Sequence, residues 1–107
     1  IQDKARYATG EALLANMKTP LELYRVEEGH YPEVNSTGDY TTLKSALNDY
    51  VKNYESLLPQ SSENDWSFAN YNYNSEDDDS YILEIKHPKV DKNLQMTTAG
   101  IKKVDPE

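Results

Sequence analysis

The stretch Ile1-Gln-Asp-Lys-Ala-Arg-Tyr-Ala-Thr-Gly-Glu-Ala-Leu-Leu-Ala-Asn-Met-Lys-Thr-Pro-Leu-Glu-Leu-Tyr-Arg-Val-Glu-Glu28 decides how the rest of the chain must be arranged. With successive residues placed ~100° apart and Ala5 at zero, Leu13, Tyr24, Met17, Gly10, Leu21 and Leu14 fall between roughly 80° and 180°. Ala15, Val26, Ile1, Ala12 and Leu23 join Ala5 and Ala8 in an opposite arc, at roughly 280° to 360°. Lys18, Arg25, Glu11, Lys4 and Glu22 form a charged stripe between the two arcs. This period predicts a long helix with two apolar faces, one bulky and one mostly small. A surface helix of a monomer requires one such face, so the second asks for a partner. Ile1, Ala5, Ala8, Ala12, Ala15, Leu23 and Val26 are therefore the candidate subunit-interface residues.

Pro20 leaves two readings of this stretch. Proline inside a helix removes a backbone hydrogen bond and crowds the preceding turn. Thr19-Pro20-Leu21-Glu22 also reads as a fresh start, with Thr19 as N-cap and Pro20 at the first helical position. Gly29 is the expected C-cap, and Tyr31-Pro32 forces extended backbone after it. Residues 30–40 read as a polar loop.

A second helix is expected over 41–58. Leu43, Leu47, Tyr50, Val51, Tyr54 and Leu58 share one of its faces, and Pro59 ends it. Beyond Gln60 the period changes to that of strands. Trp66 to Tyr73 is rich in aromatics, and Tyr81, Leu83 and Ile85 alternate on one side of the next run. Ser75-Glu-Asp-Asp-Asp-Ser80 reads as an exposed hairpin connection between them. Leu94 and Met96 alternate in a third short strand. The expectation is α+β: one domain over 1–107, with a long helix (1–29), a second helix (41–58), a three-stranded antiparallel meander (66–98) and a frayed tail (99–107).

Composition fits a lean but folded domain. Leu, Ile, Val and Phe together number only 20 of 107 residues, and the formal charge is −8. Nine tyrosines and one tryptophan supply the missing apolar surface, since an aromatic ring buries as much area as a large aliphatic side chain. There is no cysteine, which excludes disulfides, thiolate metal sites and cysteine nucleophiles. No apolar run reaches the ~18 residues a membrane span needs. Six acidic and no basic side chains lie within residues 61–80, so most of the net charge sits on twenty positions. Sequence-independent nucleic-acid binding depends on Lys and Arg displacing phosphate counterions, and this balance argues against it.

Little in the chain carries reaction chemistry. His30 and His87 lie at element ends, far apart in sequence, and are expected to face solvent. No His-x-x-x-His, Gly-x-Ser-x-Gly or glycine-rich phosphate loop occurs. Carboxylate pairs such as Glu27-Glu28 lie in hydrophilic surroundings, where both members stay ionised, whereas a general acid needs a desolvated carboxyl. The sequence therefore reads as non-enzymatic, with no catalytic and no cofactor-binding residues. An EF-hand counted from Asp77 places Pro88 where the bidentate Glu belongs. A looser calcium cage from Asp77, Asp79 and backbone carbonyls stays open as an alternative to a solvated loop.

The block Leu21-Glu-Leu-Tyr-Arg-Val-Glu-Glu-Gly-His-Tyr-Pro32 resembles the segment that ends the long helix of type IV pilins and type II secretion pseudopilins. In that family a Tyr near the helix end, an acidic pair, a Gly and a terminal Tyr-Pro recur in this order. Leu57-Leu58-Pro59 followed by Asn64-Asp65-Trp66 is similar to a stretch of the major pseudopilins. Tyr71-x-Tyr73 and Tyr81-Ile82-Leu83 resemble the opening strands of their sheet. The resemblance implies a structural subunit of a type IV pilus or type II secretion pseudopilus. It implies an upstream hydrophobic half-helix, removed before Ile1, that anchors the subunit in the inner membrane and later packs in the filament core. The expected partners are copies of the chain and companion pilins or pseudopilins in a helical filament. The expected location is periplasmic before assembly and periplasmic or extracellular after it. Asp3 and Arg6 would lie where the helix projects beyond the globular domain. The Cys pair of many true pilins is absent. Where major pseudopilins often hold calcium, this chain has the basic segment His87–Asn93, and no ligand residue carries over. A second reading is a soluble acidic adaptor module whose 61–80 region docks a cation or a basic partner.

Overall fold

The computed structural model describes residues 2–51, 58–76 and 78–106. The fold is α+β. One long helix, α1 (Gln2–Glu28), packs on a five-stranded antiparallel sheet, and a short second helix, α2 (Thr41–Leu47), runs into a 3-10 turn at Asn48–Tyr50. The strands are β1 (Asn35–Thr37), β2 (Ser67–Asn74), β3 (Ser80–Lys86), β4 (Asn93–Thr97) and β5 (Gly100–Val104), and each lies beside its neighbour in the chain.

Helix α1 is continuous through Pro20, whose ring is buried, so the chain neither stops nor restarts there. Gly29 ends it at φ +87°, and its N–H donates to the Arg25 carbonyl at 2.8 Å. Only glycine occupies that left-handed C-cap region without a Cβ penalty.

The second helix is shorter than the expected 41–58. It follows the Leu43–Leu47 spacing, tightens at Asn48–Tyr50, and leaves helical geometry at Val51 (φ −126°, ψ 132°). Asn48 and Asp49 fall where the α-helix gives way, and such side chains compete with the backbone for hydrogen bonds. Tyr54 and the rest of 52–57 lie outside the described residues. Leu58 is buried without being part of a helix.

The sheet has five strands where three were expected. Its three central strands fall inside the expected span, and each expected loop or tail contributes one more. β1 comes from the polar loop and pairs Ser36 with Tyr71. It has no hydrophobic alternation, and what holds it is backbone pairing: Gly38 N–H donates to the Ala69 carbonyl, and Tyr73 N–H to the Val34 carbonyl. β5 comes from the expected tail. Gly100, at φ +142°, turns the chain back so that Ile101 pairs with Met96 and Lys103 with Leu94. Polar edge strands carry little hydrophobic signal, because their side chains are largely solvated and their bonds are to backbone.

The core lies between α1 and one sheet face. Leu14, Met17 and Leu21 from the helix meet Leu83, Ile85 and Leu94 from β3 and β4, all at most 1% exposed. Each such side chain contributes about 1.5–3 kcal/mol when fully buried. Tyrosines complete the core, as the composition required. Tyr31 packs edge-on to Tyr81 with centroids 4.7 Å apart, and Tyr40 stacks on Phe68 at 4.9 Å. The Tyr71 hydroxyl donates to the Pro32 carbonyl at 2.9 Å. The Tyr81 hydroxyl, also buried, has no hydrogen-bond partner among the described residues. Burial raises the pKa of the Tyr40, Tyr71 and Tyr81 phenols.

Candidate assembly interface

Which face of α1 the sheet covers follows from spacing. Gly10, Leu14, Met17 and Leu21 recur at i, i+4, i+7 and i+11 and are buried. Tyr7, Leu13 and Tyr24 flank them, partly buried. Gly10 permits the closest approach. A Cβ added there would lie 2.6 Å from both the Trp66 ring and the Leu94 side chain. Trp66 is 1% exposed, and its indole N–H donates to the Arg6 carbonyl at 2.7 Å. The bulky arc thus faces the sheet. Asp3 and Arg6 form an i, i+3 ion pair at 3.1 Å with Asp3 largely exposed, so their presence near that arc buries no unpaired charge.

The described residues of the opposite arc are exposed. Ala5, Ala8, Ala12 and Ala15 are all exposed, Leu23 is 45% exposed and Val26 74%. Ile1, the seventh candidate, lies outside the described residues. Four alanines along one face lower the steric barrier to close helix–helix approach, and Leu23 and Val26 place two large apolar side chains in water. Beside Leu23 a groove opens that is lined by Glu27, Asp49, Tyr50 and Val51.

The far end of α1 is tied to the sheet by a contact that period and composition did not reveal. Asp79 sits at φ +60°, next to Asp78 at +48°, in the β2–β3 connection. Its carboxylate accepts the Arg25 guanidinium at 3.1 Å and the Tyr31 backbone N–H at 3.0 Å. Arg25 also lies over the Tyr31 ring, 5.5 Å from its centroid, and the Tyr31 hydroxyl donates to Glu22 at 2.9 Å. The connection is a hairpin, as expected, but Asp79 is not a solvated member of it, since its side chain is only 19% exposed. Burial, then the hydrogen bond and charge of Glu22, push the Tyr31 phenol up to about 12. The only signal in the sequence was the tandem aspartates, residues that tolerate left-handed backbone.

The histidines divide. His30 is half-buried, with Nε2 3.2 Å from Glu33. His87, expected in solvent, is 7% exposed. It packs edge-on to Trp66 with centroids 5.3 Å apart, and its Nδ1 accepts the Lys89 N–H at 3.0 Å. His87 follows β3 directly and keeps the inward alternation of Tyr81, Leu83 and Ile85 for one more step. Among the described residues no group of three His, Asp or Glu side chains is placed to hold a metal ion. Asp77 lies outside them. No helix of the described chain is long and apolar enough to cross a membrane. No family model, curated protein or solved structure matches the sequence.

Proposed function

We propose that this chain is the globular part of a non-enzymatic filament subunit, of the type IV pilus or type II secretion pseudopilus kind, that assembles through α1. The observation that carries the reading is the second face of α1. Ala5, Ala8, Ala12, Ala15, Leu23 and Val26 are exposed along one helix whose other face is buried in its own domain. The Leu21–Pro32 resemblance supports it, and the turn at Gly29 and the anchoring of Tyr31 give that block a structural reason to exist. In this reading an apolar segment upstream of Ile1 anchors the subunit in the inner membrane, with the described domain in the periplasm until assembly. The partners are further copies of the chain and companion subunits.

The chain has no cysteine, so single cysteines report on neighbours without background. The test places cysteine at Ala8, Ala12 or Ala15 of the full-length subunit in its native host and oxidises assembled material. Intersubunit disulfides at these positions, and none at Asn72 on the opposite sheet face, are expected. A native gene whose upstream codons encode a polar, soluble segment overturns the reading, as does an assembled fibre with no crosslink along α1.

A further inference from the structure

Carboxylates gather around the C-terminal end of α1, and lysines gather between positions 86 and 105. At the C-terminal end of α1, Tyr24 packs edge-on to Tyr50 with centroids 5.4 Å apart and lies 6.0 Å from His30, which in turn is 6.3 Å from Tyr73. This half-exposed aromatic row is rimmed by carboxylates. Burial first, then the charges of Glu28, Glu27 and Glu33, raise the Tyr24 and Tyr50 phenols. Glu27, Glu28 and Asp49 have no ion-pair partner among the described residues. The groove beside the row has apolar walls, Leu23 and Val51, and a rim bearing Glu27 and Asp49. A long stem ending in a cation fits such a groove, because the methylenes cover the apolar wall while the charge meets the carboxylates.

The opposite end supplies such cations. Between positions 86 and 105 there are five lysines and two carboxylates. Lys92 is paired with Asp105, and Lys103 lies over the Tyr7 ring, 4.2 Å from its centroid. Lys86, Lys89 and Lys102 are exposed and unpaired among the described residues. The register Glu84–Gln95–Lys102 across β3, β4 and β5 puts Lys102 on the same sheet face as Lys86, two residues beyond Glu84. Glu84 lies on that face too, but it is 7% exposed and held by the Asn93 amide at 2.7 Å. Tyr7 marks the basic end and Tyr24 the acidic one. At ~1.5 Å per helical residue the two are roughly 25 Å apart, so no lysine of the basic end reaches the groove of its own chain.

We infer that the acidic aromatic end of one copy receives the lysine end of the next, with Lys102 seated in the Leu23–Glu27–Asp49–Tyr50–Val51 groove and Lys86 beside it. A contact between two different patches of one molecule repeats head to tail, and it builds an open filament when the rotation does not close a ring. The inference rests on the filament reading, since it adds a second contact, between domains, to the one along α1. It is tested on the 107-residue chain itself, so the two stand or fall separately. If docking fails while α1 crosslinks persist in the fibre, only this inference is lost. If docking persists without crosslinks, the assembly role of α1 is lost.

The experiment follows amide shifts and sedimentation up to ~1 mM protein in 20 mM and 500 mM NaCl, because salt shortens the reach of exposed charges. Weak self-association is expected, with shifts at both ends and a dissociation constant at least tenfold larger in high salt. Glu27→Lys with Glu28→Lys reduces the net negative charge yet should abolish association, which general repulsion does not predict. Lys86→Glu with Lys102→Glu should abolish it as well. An equimolar mixture of the two variants also exposes mutually complementary reversed ends; its restored association, seen only in the mixture, would be decisive. The inference is overturned by a monomer at 1 mM in low salt, by variants that associate like the parent, or by a mixture that stays monomeric. It is also overturned if a lysine-bearing peptide, Gly-Ile-Lys-Lys-Val, binds the groove while the chain does not bind itself.

Discussion

Replacing Gly10 with alanine sets two opposed effects against each other on the buried face of α1. In a helix interior alanine is favoured over glycine by about 0.8–1.0 kcal/mol. Against that, the new Cβ would lie 2.6 Å from the Trp66 ring and 2.6 Å from Leu94. The leucine end can rotate, but the indole is 1% exposed and anchored to the Arg6 carbonyl, so relief requires the ring to move. Overpacking of this kind costs about 1–3 kcal/mol, and losing the indole hydrogen bond costs about 1 kcal/mol more. The packing side wins, for a net loss of about 1–3 kcal/mol. At roughly 4–8 °C per kcal/mol in a domain of this size, the melting temperature should fall by at least about 4 °C. Trp66 is the sole tryptophan, so urea unfolding followed by its fluorescence reads stability and indole environment together. The matched control is Ala12→Gly on the exposed face, expected to cost about 1 kcal/mol through propensity alone with native emission unchanged. If Gly10→Ala is as stable as the parent with the same emission, the close approach of Trp66 to α1 is wrong.

Asp79→Ala should destabilise by about 1–3 kcal/mol, since it strands the Arg25 guanidinium and the Tyr31 amide, while Asp79→Asn should cost less because it keeps an acceptor and tolerates φ +60°; hydrogen exchange of the Tyr31 amide reports the difference. Tyr81→Phe removes a buried hydroxyl without a partner and should stabilise by up to about 1 kcal/mol, whereas Tyr71→Phe loses the bond to the Pro32 carbonyl and should cost about that much in denaturant titration. Stability should fall in alkali: the buried phenols titrate above the unfolded value of 10.0, Tyr31 at about 12, so their contribution is complete below pH 10 and is lost as pH rises through the native values. Phenolate absorbance near 295 nm should rise together with unfolding. Ala12→Glu and Val26→Asp should change the stability of the isolated domain by no more than about 0.5 kcal/mol, because both sites are exposed; in the proposed filament the same changes should block assembly, read by sedimentation of sheared fibres.

What the sequence disclosed, and what it hid, divides along physical lines. The 3.6-residue period placed α1 and its two faces, because burial of Leu14, Met17 and Leu21 leaves a mark at every turn. Alternation placed β3 and β4 for the same reason. β1 and β5 were hidden because their pairing uses backbone groups, which are identical at every residue, while side chains such as Thr37, Ile101 and Lys102 are exposed. The helix expected to reach Leu58 ends at Leu47 and passes into a 3-10 turn, since a hydrophobic spacing states which residues seek the core and not the backbone path they take. The exposed arc of α1 could be identified as small and apolar before any coordinates. The Asp79 contact could not be, since it joins positions 54 and 48 apart in the chain. His87 was hidden because it lies two residues beyond Ile85, the last expected inward position, and just past the end of β3.

Trp66 grips α1 near its start and Asp79 grips it at its finish, from just outside the two ends of β2. A rod fastened at two points to one plate resists swivelling, so twist applied to it is passed on to the plate. Loosening either fastening turns the joint into a hinge. Such a variant would keep its fold yet transmit force poorly, and pulling on single molecules would show two yield events where the parent gives one.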